Sequence, residues 1–241
     1  MLMAHLNGHL LWHKYVESYF TPGKKILEIG PAGYPTYYEN VLNNNHINTT
    51  YKVLDVSNEF ISGAEKNPNF ICSHDELNYP IDNDSFDIVF SDQVLAHVKY
   101  FWLWYKELIR ITKPGGHIIT ISSYSYPPCP SPIDAWRVHS DGMVQLNNYY
   151  NLKTIVCKTE SLEMEKYNIP KKVGHYYPGA SVKNPFSSSS TKNLFLINSK
   201  KYWNSFIGKI PKIRSLLLNP INVAFDTITV AEKPQYNSEP E

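Results

Sequence analysis

Short apolar runs alternate along this chain with segments of helical period. Lys25 to Ile29 reads KILEI, an apolar run closed at once by a turn that holds Gly30 and Gly33; it predicts a short buried strand and a tight turn. Ahead of it, Leu6, Leu10, Leu11, Tyr15, Val16, Tyr19 and Phe20 recur at helix spacing, so Leu2–Phe20 is predicted as a helix stopped by Thr21-Pro22-Gly23. Lying before the first strand, that helix is expected outside the sheet core, as an edge cover or a lid. Further on, the pattern predicts a short helix over Thr36–Asn43, a second strand over Tyr51–Val56 and a third over Asn69–Ser73. Ser85–Ser91 is a fourth strand, its near-continuous apolar run typical of a parallel strand buried on both faces. Val94–Thr112 reads as one aromatic-rich helix ended by Lys113-Pro114-Gly115-Gly116, with Phe101, Trp102 and Trp104 as packing contacts. A fifth strand over His117–Ser122, a helix over Gly142–Tyr150 capped by Asp141, a sixth strand over Lys153–Thr159 and a last strand over Phe225–Glu232 complete the alternation. Strands alternating with helices predict an α/β fold.

Ser161 to Asn222 breaks this rhythm with Pro170, Pro178, Pro185 and the Ser187–Ser190 run, around a predicted helix over Lys201–Gly208. The expected organisation is therefore a helix over 1–22, a core over 23–160 with 223–233, an insertion over 161–222, and a polar tail over 234–241. The tail from Lys233 is expected to fray.

Composition narrows the class. In 241 residues, 23 Lys+Arg face 22 Asp+Glu, which is not the basic footprint of a nucleic-acid binder. A hydrophobic content of 42% supports a packed core. Cys72, Cys129 and Cys157 form no Cys-x-x-Cys pair, arguing against a disulfide framework or a zinc site, and no metal is expected. There is no signal-peptide pattern and no apolar run of the ~18 residues a membrane span needs. A soluble cytoplasmic protein is expected.

The candidate chemistry collects at predicted strand ends. Glu28 ends the first strand beside the glycine turn, and a helix start beyond that turn offers free N–H groups. Asp55 lies twenty-five residues past Gly30 at the end of the second strand, placed to accept from ribose hydroxyls. The other reading of Asp55 is a helix cap. His74 and Asp75 follow the third strand, where they would read an adenine amino group. Ser91 and Asp92 end the fourth strand, at the edge where open α/β sheets bind ligands. The loop YSYPPCPSP and the following IDAWRVHSDGM run past the end of the fifth strand, over that same edge.

LEIGPAG, then Asp55, then SFDIVFSDQVLAHV, then ELIRITKPGG, then FDTITVAEKP resemble, in that order, the blocks of class I S-adenosylmethionine-dependent methyltransferases. The resemblance covers roughly Lys24 to Thr159 plus the last strand. It implies a Rossmann-like seven-stranded sheet, parallel except for a final strand that inserts antiparallel beside the sixth. It also implies S-adenosyl-L-methionine as cofactor, with Glu28, Gly30 and Gly33 on its methionine part, Asp55 on the ribose, His74 and Asp75 near the adenine, and Ser91 and Asp92 facing the amino group and the reacting methyl. Two positions depart from the family: Tyr34-Pro35 stands where a third glycine is common, and Ala96 stands where a glutamate often precedes His97. The WLWYKELIRITKPGG block followed by PIDAWR is similar to a narrower, type-11-like group associated with polysaccharide biosynthesis, whose P-x-D-x-W-R element points to a sugar or glycan hydroxyl.

A hydroxyl acceptor needs a proton acceptor beside it. His97, His139 and Asp134 are the candidates, with Arg137 as a clamp for an anion and Trp136 as a platform for a sugar face. Each has a structural alternative: a surface histidine for His139, an ion pair with Asp134 or Asp141 for Arg137, a loop anchor for Trp136. The implied function is methyl transfer to a hydroxyl of a small molecule or glycan. Transfer to protein or RNA, an NAD-dependent enzyme and a non-catalytic Rossmann-like module stand as alternatives, and the insertion would close the pocket or pair two subunits into a homodimer.

Overall fold

The computed structural model describes residues 6–31, 33–56, 69–72, 77–126, 128–129, 133–166 and 224–235. The chain divides into two units, 1–169 with 224–241 and 170–223; the second, like His74 and Asp75 and the helix expected over Lys201–Gly208, lies outside the described residues. In chain order the elements are α1 (Leu6–Tyr15), β1 (Lys25–Ile29), α2 (Tyr37–Asn44), β2 (Thr50–Val56), β3 (Phe70–Cys72), β4 (Phe86–Asp92), α3 (Phe101–Ile111), β5 (Thr112–Ser125), α4 (Ser140–Tyr149), β6 (Lys153–Glu160), α5 (Glu163–Lys166) and β7 (Phe225–Glu232).

The strands form one seven-stranded sheet in the order β3-β2-β1-β4-β5-β7-β6. β1 pairs in parallel with β2 and β4, and β4 with β5, whereas β7 runs antiparallel to both β5 and β6. This is the Rossmann-like topology that the motif order implied. Interior strands feed two cores by the two-residue period: Leu27, Leu54, Val89 and Ile118 pack with α3 and α4, while Ile26, Ile88, Phe90 and Ile119 pack with α1 and α2. β4 is buried on both faces for this reason.

Three expectations change. α1 is no edge cover: Leu11, Trp12 and Val16 are fully buried against the sheet interior, and its contacts reach β5 and β7. The helix expected over Val94–Thr112 is broken. Leu95–His97 forms one 3-10 turn, Val98 is extended, and α3 starts at Phe101. The backbone of the break bonds elsewhere, the Ala96 carbonyl accepting from the Ala135 N–H at 2.8 Å and the Val98 carbonyl from the Trp136 indole at 2.8 Å. Lys233 does not fray. Its ammonium donates to Asp84 Oδ1 at 2.6 Å and to the Ile109 and Thr112 carbonyls at 2.9 and 2.7 Å.

At the start of β5 the pairing with β4 shifts between Phe86 and Ile88, and Gly116 sits in that irregularity. A Cβ there would lie 2.8 Å from both the Asp87 and Lys113 carbonyl oxygens. Gly116→Ala is therefore expected to lower stability by about 1–3 kcal/mol in urea unfolding. Gly33→Ala, whose Cβ would meet no atom of the described residues within 4 Å, should stay within about 0.5 kcal/mol.

Candidate functional site

Parallel strands deliver their carboxyl ends to one edge of a sheet, and here β2, β1 and β4 are neighbours. Glu28, Asp55 and Asp92 close these three strands on the side that carries α1 and α2. The period fixes the side: Ile26 and Phe90, two residues before Glu28 and Asp92, pack into the core beneath those helices. Gly30 follows β1 with φ +63°, and a Cβ there would come within 2.6 Å of Val94 Cγ2, so no other residue fits the turn as built. Its N–H donates to the Leu54 carbonyl at 2.9 Å, tying the turn to β2. Thr36 opens α2 by accepting from the Glu39 N–H at 3.1 Å.

Each of the three carboxylates accepts a tyrosine hydroxyl: Glu28 from Tyr51 at 2.6 Å, Asp55 from Tyr34 at 3.3 Å, and Asp92 from Tyr38. Burial pushes the Glu28 carboxyl up to about 7, against the hydrogen bonds from Tyr51 and Thr36. The charged groups that act on it, Asp92 and Glu39, are both acidic and push the same way. Burial, followed by the neighbouring acids, also raises Tyr34, Tyr38 and Tyr51, so all three hydroxyls stay donors. Ser91 faces the other side of β4, its hydroxyl buried without a hydrogen-bond partner among the described residues.

The first turn of α1 closes this edge. A Cβ on Gly8 would lie 2.9 Å from both Asp92 carboxylate oxygens. The buried Asn7 amide donates to Asp226 Oδ2 at 2.7 Å and to the Glu160 carbonyl at 3.1 Å, and its oxygen accepts from the Leu162 N–H at 2.7 Å. Gln93, at φ +62°, donates to Asp226 Oδ1 at 3.0 Å. Burial pushes Asp226 up to about 7 as well. Tyr34, Tyr38, Tyr51, Asn7, Gln93 and Asp226 were not foreseen as site residues. They meet their partners across long stretches of chain, and no local motif marks them.

The structure gives several of the other candidates different work. His139 is the N-cap of α4, its Nδ1 accepting from the Asp141 N–H, so that nitrogen is held as an acceptor at a helix end. Asp141 stands inside the helix rather than capping it. Asp134 is gripped by both terminal nitrogens of Arg137 and accepts from the Cys129 N–H, and the guanidinium, first among these, holds its carboxyl below the usual range. Arg137 is correspondingly committed to Asp134 rather than open to an anion. The Trp136 ring packs between Phe101 and Trp102 at centroid distances of 5.1 and 5.6 Å, anchoring the loop. His97 remains. The Ile133 carbonyl can only accept, so His97 Nδ1 carries the ring proton towards it and Nε2 is left as the accepting nitrogen.

Residues 27–120 match the model of a family described as a methyltransferase domain. Over 121 residues the chain is 29% identical to the phthiotriol/phenolphthiotriol dimycocerosates methyltransferase of Mycobacterium leprae, a stretch covering 48% of this chain and 42% of that protein. The chain thus spans less than half the length of this relative. Among solved structures, the fold is shared with the methyltransferase bound to the Trm112 activator of Haloferax volcanii (13% identity, TM-score 0.51, covering 95% and 94% of the two chains). It is also shared with the YcgJ protein of Bacillus subtilis (14% identity, TM-score 0.51, covering 97% and 100%). The residues fit the cofactor of a methyltransferase domain, S-adenosylmethionine. Its cationic sulfonium and ammonium suit a buried carboxylate surrounded by acids, and its polar groups suit the carboxylate row beside the Gly30 turn.

A cation beside Glu28 favours the ionised carboxylate. Affinity for S-adenosylmethionine should therefore rise as pH increases through about 7, with proton release detectable by calorimetry in buffers of different ionisation enthalpy; a flat profile without release would sink this role for Glu28. In the ligand-free protein the sign is opposite. The folded state binds the Glu28 proton more tightly than the unfolded chain, so stability falls as pH rises from about 4.5 to about 7. Asp226 adds a fall of the same sign beginning near 3.8. Glu28→Gln should reduce the slope.

Proposed function

We propose that this chain, whose residues 27–120 match the model of a methyltransferase domain, moves a methyl group from S-adenosylmethionine to a hydroxyl of a small molecule, sugar or lipid-linked acceptor. The observation that carries the reading is the row of Glu28, Asp55 and Asp92 at the ends of three adjacent strands, on one face and beside the Gly30 turn. The mycobacterial relative is named for phthiotriol and phenolphthiotriol dimycocerosates, names that carry hydroxyls, and this favours an alcohol acceptor.

The cofactor supplies an electrophilic methyl on a cationic sulfur. The chain supplies position and a proton acceptor. Asp55 would hold the ribose hydroxyls in exchange for the bond it shares with Tyr34, and Glu28 and Asp92 would hold the positive charges. Asp92 is held in place for this by Tyr38 and by the close approach of Gly8. When methyl transfer to the acceptor oxygen takes place there, His97 Nε2 would take up the proton that the acceptor hydroxyl loses. The carbonyl of Ile133 fixes the tautomer that makes this possible. Arg137 and Asp134 shape the loop that carries that carbonyl.

His97→Gln should lower kcat by roughly 100-fold or more while the dissociation constant for S-adenosylmethionine stays near that of the wild type. Assay with labelled methyl donor and a panel of alcohol, glycan and glycolipid acceptors reads both. Equal turnover in the variant removes His97 as the base. Asp55→Ala should weaken cofactor binding severalfold or more, by titration calorimetry, and unchanged affinity removes the ribose role. Methylation confined to protein or RNA acceptors would overturn the hydroxyl reading.

A further inference from the structure

The buried face of α3 carries Trp104, Tyr105, Leu108 and Ile111. Its opposite face, at helical spacing, carries Trp102, Leu103 and Lys106, with Lys99 and Tyr100 just ahead of the first turn. Tyr100 is 51% exposed, Leu103 41% and Trp102 38%, an exposed apolar group on one helix. The patch widens at the end of α4. The Tyr150 hydroxyl donates to the Trp102 carbonyl at 2.9 Å, and Tyr149, 77% exposed, packs edge-on against Tyr150. Lys99 and Lys106 are both exposed, and among the described residues no ion pair holds Lys106. The acid on this helix, Glu107, is buried and bound by Arg110 and the Tyr79 N–H, so it offers the face no negative charge.

We infer that this face docks on an anionic lipid surface and that the hydroxyl acceptor is presented from it. Trp and Tyr rings suit the boundary between hydrocarbon and headgroups. Lysine stems lie along apolar surface while their ammonium groups reach outward to lipid phosphates. The core of a protein–protein interface is instead depleted in lysine. Position adds a second argument. Trp102 touches Trp136, which belongs to the loop whose Ile133 carbonyl fixes His97, so the face adjoins the proposed base. Among the described residues no helix is long and apolar enough to cross a membrane, so docking would be peripheral. Presentation of the acceptor to His97 rests on the proposed methyl transfer; the docking does not.

The test is co-sedimentation of the full chain with vesicles of phosphatidylcholine alone or mixed with phosphatidylglycerol, without methyl donor. The wild type should pellet with the mixed vesicles and weakly with the neutral ones, and added salt should release it. Trp102→Ala with Leu103→Ala should weaken partition about tenfold or more, and Lys99→Glu with Lys106→Glu should weaken it by roughly fivefold per lysine. Unchanged affinity for S-adenosylmethionine in both variants shows that they fold. Wild type that binds neither vesicle, or variants that bind as well as wild type, overturn the inference. So does concentration-dependent self-association abolished by the same substitutions without vesicle binding, which would make this face a contact between two copies. Loss of S-adenosylmethionine binding or turnover with vesicle binding intact would count against the methyl-transfer reading alone.

Discussion

A side chain on a strand has two faces to choose between, and at one edge of this sheet that choice gathers four acids. Glu28, Asp55 and Asp92 arrive at the carboxyl ends of parallel strands. Asp226 arrives from the other direction, because β7 runs antiparallel and so begins where its neighbours end. Four carboxyl groups cannot share a sheltered edge in ionised form without partners. The structure meets this with neutral donors: three tyrosine hydroxyls, the Asn7 amide and the Gln93 amide. Burial raises Glu28 and Asp226 into the range where a proton is readily gained or lost. The edge is thus arranged to receive positive charge, which the proposed sulfonium nucleoside would bring.

The donors also explain why α1 belongs to the site. A helix resting on the sheet need not approach a strand end closely, but Gly8 leaves no atoms between the helix backbone and Asp92, and Asn7 bridges β6, β7 and Leu162, two residues past β6. Substitution at either position would reach the cofactor edge through the backbone of α1, without touching a ligand.

Much of the sheet was legible because parallel strands are written as apolar runs. The strands containing Leu27, Val53, Val89 and Val230 lie within a residue or two of where those runs placed them, and the glycine turn after Ile29 follows from residue type. The break after His97 was not legible. Val94 to Thr112 has unbroken helical period, and what interrupts it is a loop nearly forty residues away that takes the Ala96 and Val98 carbonyls. His139 looked like a free imidazole for a similar reason: its role as a cap exists only once α4 begins at Ser140 rather than Gly142. The tyrosine–carboxylate pairs join residues 21 to 54 positions apart. Tyr38 sits in a helical pattern that gives no hint of Asp92. Local chemistry was readable, and partnership at a distance was not.

The place of β7 has a consequence for how the polypeptide emerges during synthesis. Among the described residues β6 finds its sheet partner only in β7, and so does the outer side of β5, since the two do not pair with each other. Until β7 has been made, one strand lacks its neighbour and another keeps an open edge, each a template for pairing with other nascent chains. The sheet therefore closes only once β7 is available, and the Lys233 ammonium just beyond it, bridging Asp84 to the carbonyls around α3, clasps the closing strand to the helix layer.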